Sequence, residues 1–186
     1  MDLGDQIGTV IAVAVGAIGS YMFGRLSDRD RLARDLAFRW DERRLDAYVA
    51  YVSAVKMAGM RANEVHERRL QGASASDLVD LINDLAEREG HRAERFEALP
   101  LLADGTTIEA AHELNHALWR LEHPARTGSE IAEQEWHELA DKWVTALNNF
   151  HAAARQSLTV QGTFSRRDTA ALAVSRPERA SSGVIV

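Results

Sequence analysis

GTVIAVAVGAIGSYMFG, residues 8–24, is the stretch that decides the organisation of this chain, and residues 6–24 carry no charged side chain at all. An α-helix rises about 1.5 Å per residue, so a helix over 6–24 spans roughly 28 Å, close to the hydrocarbon thickness of a bilayer. A helix also satisfies its own backbone hydrogen bonds in lipid. The sequence therefore predicts a transmembrane helix over 6–24, preceded by a short extracytoplasmic N-terminus, 1–5.

The charges around this run predict its orientation. Asp2 and Asp5 precede it, whereas the basic residues that follow it are Arg25, Arg29, Arg31 and Arg34. A cleaved signal peptide has its basic residues before the apolar core, so the order of the charges favours a retained anchor. The length of the uncharged run favours a membrane helix over a buried core helix. Basic flanks stay in the cytoplasm. We therefore expect a single-pass protein of the inner (plasma) membrane with a cytoplasmic C-terminal domain.

Small residues recur at every fourth position of the predicted anchor: Gly8, Ala12, Gly16, Ser20 and Gly24. Such spacing lets two membrane helices approach closely. It indicates a possible homodimer through the anchor, although a segment so rich in small residues also produces this pattern by composition alone.

The composition after the anchor indicates a globular, all-α domain. The chain carries a net charge of −6, which provides no basic surface for nucleic acid, and it has no Cys for a disulfide, thiolate metal site or cysteine nucleophile. Alternating β-branched runs are missing after residue 25. The segments predicted are a charged juxtamembrane stalk over 25–35, an antiparallel four-helix bundle over 36–158, and a disordered tail over 159–186.

The first helix of the predicted bundle shows a two-row apolar pattern typical of a coiled-coil-like seam. One row holds Phe38, Leu45, Val52 and Gly59, and the second holds Tyr48, Val55 and Ala62. Ser27 opens a possible capping box, but the helix could equally continue from the anchor. Gln71-Gly72 predicts its end, near Leu70.

Local signals place the other helices. Ser74 or Ser76 caps the second, with Leu78, Leu81, Ile82, Leu85, Ala93 and Phe96 on its apolar face, and Pro100 ends or kinks it. Thr106–Glu109 resembles a capping box for the third helix, which His123-Pro124 stops. Ser129 is the expected cap of a fourth helix over 130–158, whose Trp136, Trp143 and Phe150 read as core. Asn148-Asn149 is predicted to face solvent or to form a local hydrogen bond.

One chemical motif stands in the third helix. His112-Glu113-x-x-His116 matches the H-E-x-x-H sequence in which two histidines bind zinc and the glutamate activates the metal-bound water. This five-residue motif resembles that of the zincin metalloproteases, a resemblance that implies zinc as cofactor, Glu113 as the catalytic base and Glu135 as third ligand. A non-proteolytic metal site with a facing carboxylate or His137 is another possibility. Because His112, His116 and His123 share the border between the apolar and charged faces, they also fit an ordinary amphipathic helix.

The chain as a whole, with its anchor and its E-A-A-H-E-L-N-H-A-L-W stretch (109–119), resembles membrane-anchored helical proteins of actinobacteria that have no assigned activity. That resemblance implies membrane attachment and no particular reaction. We therefore expect a membrane-tethered interaction or scaffold module, without catalysis or cofactor, whose partners are the bilayer, an unidentified protein and a second copy bound through the anchor or the first soluble helix. The alternative is a metal-binding protein or zincin-like metallohydrolase.

Overall fold

The computed structural model describes the backbone of residues 3–162 and 164–167 and the side chains of residues 36–162 and 164–167. Within that part the chain forms helices only: α1 (Leu3–Leu70), α2 (Ala75–Phe96), α3 (Leu99–Leu102), α4 (Gly105–Thr127) and α5 (Glu133–Ser157). The prediction of an all-α chain with four long helices is confirmed. The single turn α3 is the one addition. The chain divides into two compact units, residues 1–43 and 44–186.

The predicted membrane anchor lies outside the part whose side chains are described. Among residues 36–162 and 164–167, none of the helices combines the length and the apolar character that a bilayer crossing requires. The side chains of the predicted anchor, 6–24, and of the stalk, 25–35, lie outside this described part. Gly8, Ala12, Gly16, Ser20 and Gly24 are therefore outside the described side chains, as are residues 168–186 of the predicted tail.

Two boundary signals at the first loop, Gly72 and Ser74, are confirmed. The backbone is helical throughout Leu3–Leu70, so no helix begins at Ser27. Gly72 follows the helix with a φ of +76°, a left-handed conformation that glycine adopts without steric cost. Ser74 then caps α2, because its hydroxyl accepts the Asp77 N–H while the Asp77 carboxylate accepts the Ser74 N–H.

Three predicted boundaries later in the chain are wrong. Asp104, not Thr106, caps α4: its carboxylate accepts the backbone N–H of Thr107 at 2.8 Å. Pro124 does not stop α4, which continues to Thr127 and ends at Gly128 with a φ of +71°. Pro124 has no N–H to bond the Arg120 carbonyl oxygen, so α4 continues for its last turn with one hydrogen bond fewer. Ser129 caps nothing, since α5 begins at Glu133 without a side-chain cap.

The long helices alternate in direction around α1, as predicted for an antiparallel bundle. Contacts at two levels along the C-terminal part of α1 show that α2 and α5 run antiparallel to it and that α4 runs parallel to it. These contacts are Tyr51–Phe96 and Arg61–Asp84 for α2, Tyr51–Ala111 and Arg69–Ala125 for α4, and Tyr48–Ser157 and Asn63–Trp136 for α5. Helices that are sequential neighbours thus lie antiparallel.

The core uses one of the two predicted rows of α1. Six positions at alternating spacings of three and four are buried: Tyr48, Tyr51, Val55, Ala58, Ala62 and Val65. In the other row Phe38 and Leu45 are exposed, Val52 is half-buried against the core and Gly59 is buried against Trp143, so only the far end of that row is covered. The reason is that α2, α4 and α5 all contact α1 from the Tyr51 side. In α5 the predicted core residues Trp136, Trp143 and Phe150 are buried.

Candidate functional site

The H-E-x-x-H motif lies on the outer face of α4. His112, Glu113 and His116 are all exposed, and Leu114 and Leu118 of the same helix fill the core. The His112 ring packs edge-on against Phe96, with 5.1 Å between ring centroids. The two imidazoles therefore sit on an open helix surface instead of in a closed site.

The proposed third ligands do not join these histidines. Glu135 and His137 are exposed on α5, and the described residues contain no group of three or more His, Asp or Glu side chains that could hold a metal ion. A catalytic zinc site normally has three protein ligands and one open position. Zinc binding and catalysis by Glu113 consequently stay predictions.

A hydrogen-bonded polar cluster joins α1, α2 and α4 inside the bundle. The Tyr51 hydroxyl lies 2.7 Å from Asn115 Oδ1 and 3.0 Å from the Ala111 carbonyl oxygen, so its one hydrogen is shared between two acceptors. Arg92 donates to Asn115 Oδ1 and to the Glu89 carboxylate, each at 2.5 Å. Burial raises the pKa of Tyr51, which keeps the hydroxyl protonated as a donor. The arrangement fixes the relative position of three helices.

Glu122 is a buried acid beside this cluster. Its side chain is 2% exposed, and its Oε1 atom has no hydrogen-bond partner. Burial raises the pKa of Glu122 to about 8; Glu89 adds to the increase, and Arg92 and Arg126 oppose it. The group is therefore mostly neutral at pH 7. A neutral carboxylic acid suits a general acid, but such a role needs contact with substrate, and this one faces the core.

His66 and Trp136 form a second buried pair, between α1 and α5. Their rings stack at a centroid distance of 3.8 Å with 8° between the planes. Burial lowers the pKa of His66, so the stacked imidazole is neutral near pH 7. Trp136 donates its indole N–H to Asn63 at 3.2 Å. The pair locks α5 to α1 far from the H-E-x-x-H motif.

Sequence reasoning missed these internal polar groups for an identifiable reason. Asn115 stands at an unassigned position of the His112–His116 motif, and Glu122 directly precedes the His123-Pro124 pair that the sequence predicts as the helix stop. The available signal was their position: both fall on the apolar arc of α4, between Ala111 and Ile108, and they are seven residues apart. Position on one helix does not say which neighbouring helix covers that part of the arc.

Several large apolar side chains remain on the surface of α1. Within unit 44–186, Leu45 is 49% exposed, Val49 60% and Met60 54%. At 100° per residue these three positions and the half-buried Val52 fall within one arc of about 80°. We call these four residues the outer α1 face. Leu45 and Val52 belong to the row predicted as a seam, and Val52 also packs against the core on its inner side.

Comparisons of the chain with protein-family models, with curated proteins and with solved structures give no match.

Proposed function

We propose that this protein is a membrane-tethered helical module that binds other proteins, anchored by residues 6–24 with its bundle on the cytoplasmic side. The uncharged run, the acidic residues before it and the four arginines after it support the anchor and its orientation. The outer α1 face is the surface that we assign to protein binding.

The chemistry of that face favours a helical partner. Isolated exposed apolar residues are ordinary on protein surfaces, but a contiguous row of them is typical of an interaction site. Leu45, Val49 and Val52 form such a row over two turns of α1, and Met60 lies two turns further along the same arc, beyond Lys56. A second copy of the chain is the partner we assign, because two copies tethered in one membrane present the same row to each other at high local concentration.

The contact can be tested by cross-linking the full chain in liposomes. The chain has no Cys, so a single introduced thiol reports on one position. We expect Val49→Cys to give a disulfide-linked dimer on mild oxidation, whereas Asp80→Cys, on the exposed surface of α2, does not. Val49→Cys combined with Met60→Glu should lose the dimer. Equal cross-linking at positions 49 and 80 would contradict an α1 contact.

The anchor requires a separate measurement. We expect the full chain to float with liposomes and to resist extraction at alkaline pH, and Val13→Asp with Ile18→Asp to abolish both. Retention of that double variant in the membrane fraction would show that 6–24 is not the anchor. Metal binding at His112 and His116 remains the second candidate function, and no contact in the described residues favours it over protein binding.

A further inference from the structure

The residues that follow α5 turn back and pack on that same helix. We call residues 159–162 and 164–167 the C-terminal segment. Arg155 donates to the carbonyl oxygens of Gln161 and Gly162 at 3.2 and 3.3 Å, and a paired contact between Asn148 and Arg167 lies further on. The segment therefore runs antiparallel to α5. Asn148, His151 and Arg155, about one turn apart, receive it, and we call these three residues the α5 docking face.

Asn148 recognises backbone, not a side chain. Its Nδ2 donates to the Arg167 carbonyl oxygen at 2.8 Å, and the Arg167 N–H donates to its Oδ1 at 3.1 Å. Asn148 is 4% exposed, so this amide needs a partner on both its donor and acceptor sides. Pairing with the N–H and C=O of one residue reproduces the hydrogen bonding of a β-bridge. Any extended backbone provides the same two groups.

Phe164 supplies the one aromatic contact of the segment. Its ring is half-buried, lies 6.4 Å from the His151 ring at 88°, and has the Arg155 guanidinium 5.7 Å from its centroid. Burial, together with Arg167 and Lys56, lowers the pKa of His151, so its imidazole is uncharged near pH 7. An uncharged ring edge and a guanidinium suit an aromatic side chain at this position.

The α5 docking face is more buried than the segment that lies on it. Asn148 is buried, whereas Gln161, Ser165, Arg166 and Arg167 are exposed. Phe164 alone anchors the segment through a large apolar side chain. A segment held by backbone pairing and one aromatic ring is replaceable by another peptide with those features.

We propose that the α5 docking face binds an extended peptide carrying an aromatic residue three positions before the residue that pairs with Asn148, and that the C-terminal segment occupies the face as an internal competitor. The inference rests on the interaction role proposed above and names a partner class for it. The tether keeps the internal segment at an effective concentration in the millimolar range, so an added peptide at micromolar concentration is excluded from the wild-type chain.

The test uses the full chain and a fluorescent peptide with the sequence of residues 158–168. Phe164→Ala weakens the internal segment, and we expect it to raise the apparent affinity for the peptide at least ten-fold over wild type. Adding Asn148→Ala removes both backbone hydrogen bonds and should lower that affinity about ten-fold or more. Asn149→Ala, an exposed neighbour on the same helix, is the matched control and should leave binding unchanged.

A second readout guards against a variant that fails to fold. In otherwise wild-type protein, hydrogen exchange at the Arg167 amide should accelerate about ten-fold in Asn148→Ala and stay unchanged in Asn149→Ala. The inference is overturned if Phe164→Ala shows no saturable peptide binding up to about 1 mM, or if the two asparagine variants act alike. If peptide binding fails while Val49→Cys still cross-links, only the proposal for the α5 docking face is rejected. If the cross-link fails while the peptide still binds, only the proposed α1 contact is rejected.

Discussion

Gly59 of α1 lies directly beneath the indole ring of Trp143 of α5. A Cβ atom at Gly59 would stand 2.7 Å from Trp143 Cη2 and closer still to Cζ2, well inside van der Waals contact. Trp143 is 3% exposed and surrounded by core side chains, so its ring has little room to move. The absence of a side chain at Gly59 therefore sets how closely α1 and α5 approach.

Gly59→Ala should destabilise the fold by about 1–2 kcal/mol, because overpacking costs roughly 1–3 kcal/mol and the better helix propensity of Ala returns part of it. Gly90→Ala is the matched control: Gly90 lies inside α2, and nothing stands within 4 Å of its Cβ position. That substitution should stabilise the protein by about 0.5–1 kcal/mol. Urea unfolding of both variants gives the comparison. Equal effects at the two positions would show that Trp143 yields to the added methyl group.

Glu122→Gln should change how stability depends on pH. The pKa of Glu122 is about 8 in the folded chain and 4.5 without the protein environment. Between these two pH values the folded chain therefore keeps the proton on Glu122, whereas the unfolded chain loses it. The contribution of this group is therefore greatest below pH 4.5, falls as the pH rises, and levels off above about 8. The glutamine should stabilise the protein by about 2–3 kcal/mol at pH 7 and by little at pH 4.

Thermal unfolding between pH 4 and 9 measures this slope. Glu113→Gln, at an exposed position of the same helix, serves as the control and should keep the slope of the wild type. If Glu122→Gln and wild type lose stability in parallel as the pH rises, Glu122 is ionised in the folded state and the pKa assignment is wrong.

The Tyr51–Asn115 hydrogen bond should show energetic coupling. Tyr51→Phe removes the donor, and Asn115→Ala removes the acceptor that Arg92 also uses. We expect about 1–2 kcal/mol of destabilisation from the first variant and somewhat more from the second, since the latter removes an acceptor from both Tyr51 and Arg92. A double-mutant cycle should give a coupling of about 0.5–1.5 kcal/mol. Additive effects would mean that the two side chains act independently.

The helix caps provide a direct check on the corrected boundaries. Asp104→Ala should cost about 1 kcal/mol, because the Thr107 N–H loses its acceptor at the start of α4. Thr106→Ala and Ser129→Ala, at the positions that the sequence favoured as caps, should change the free energy of unfolding by less than about 0.5 kcal/mol. A loss at Ser129 comparable with that at Asp104 would place the start of α5 earlier in the chain.

Metal content separates the two candidate functions. With His112 and His116 exposed and no third ligand beside them in the described structure, we expect purified full-length protein to contain no stoichiometric zinc, and His116→Ala to leave the metal content unchanged. Elemental analysis by mass spectrometry gives the answer. One zinc per chain that disappears in His116→Ala would establish a metal site and revive the hydrolase alternative.

The sequence by itself determined the class of the fold and the boundaries that rest on local chemistry. Residue periodicity predicted helices throughout, Gly72 marked the end of α1, and Ser74 is one of the two caps expected for α2. These features depend on residues within one or two turns of each other. A reading of neighbours along the chain is therefore enough to find them.

Tertiary structure decided which faces are covered. Local patterns gave α1 two apolar rows, and only the positions of α2, α4 and α5 determined that Tyr48 and Val55 are buried while Leu45 is not. The same holds for Asn148, which the sequence left as a solvent-facing or locally bonded residue and which instead holds Arg167, 19 positions away. Burial and long-range pairing arise from packing between helices. A helix carries a pattern of faces in its sequence, but the neighbour that desolvates each face is set by the whole bundle.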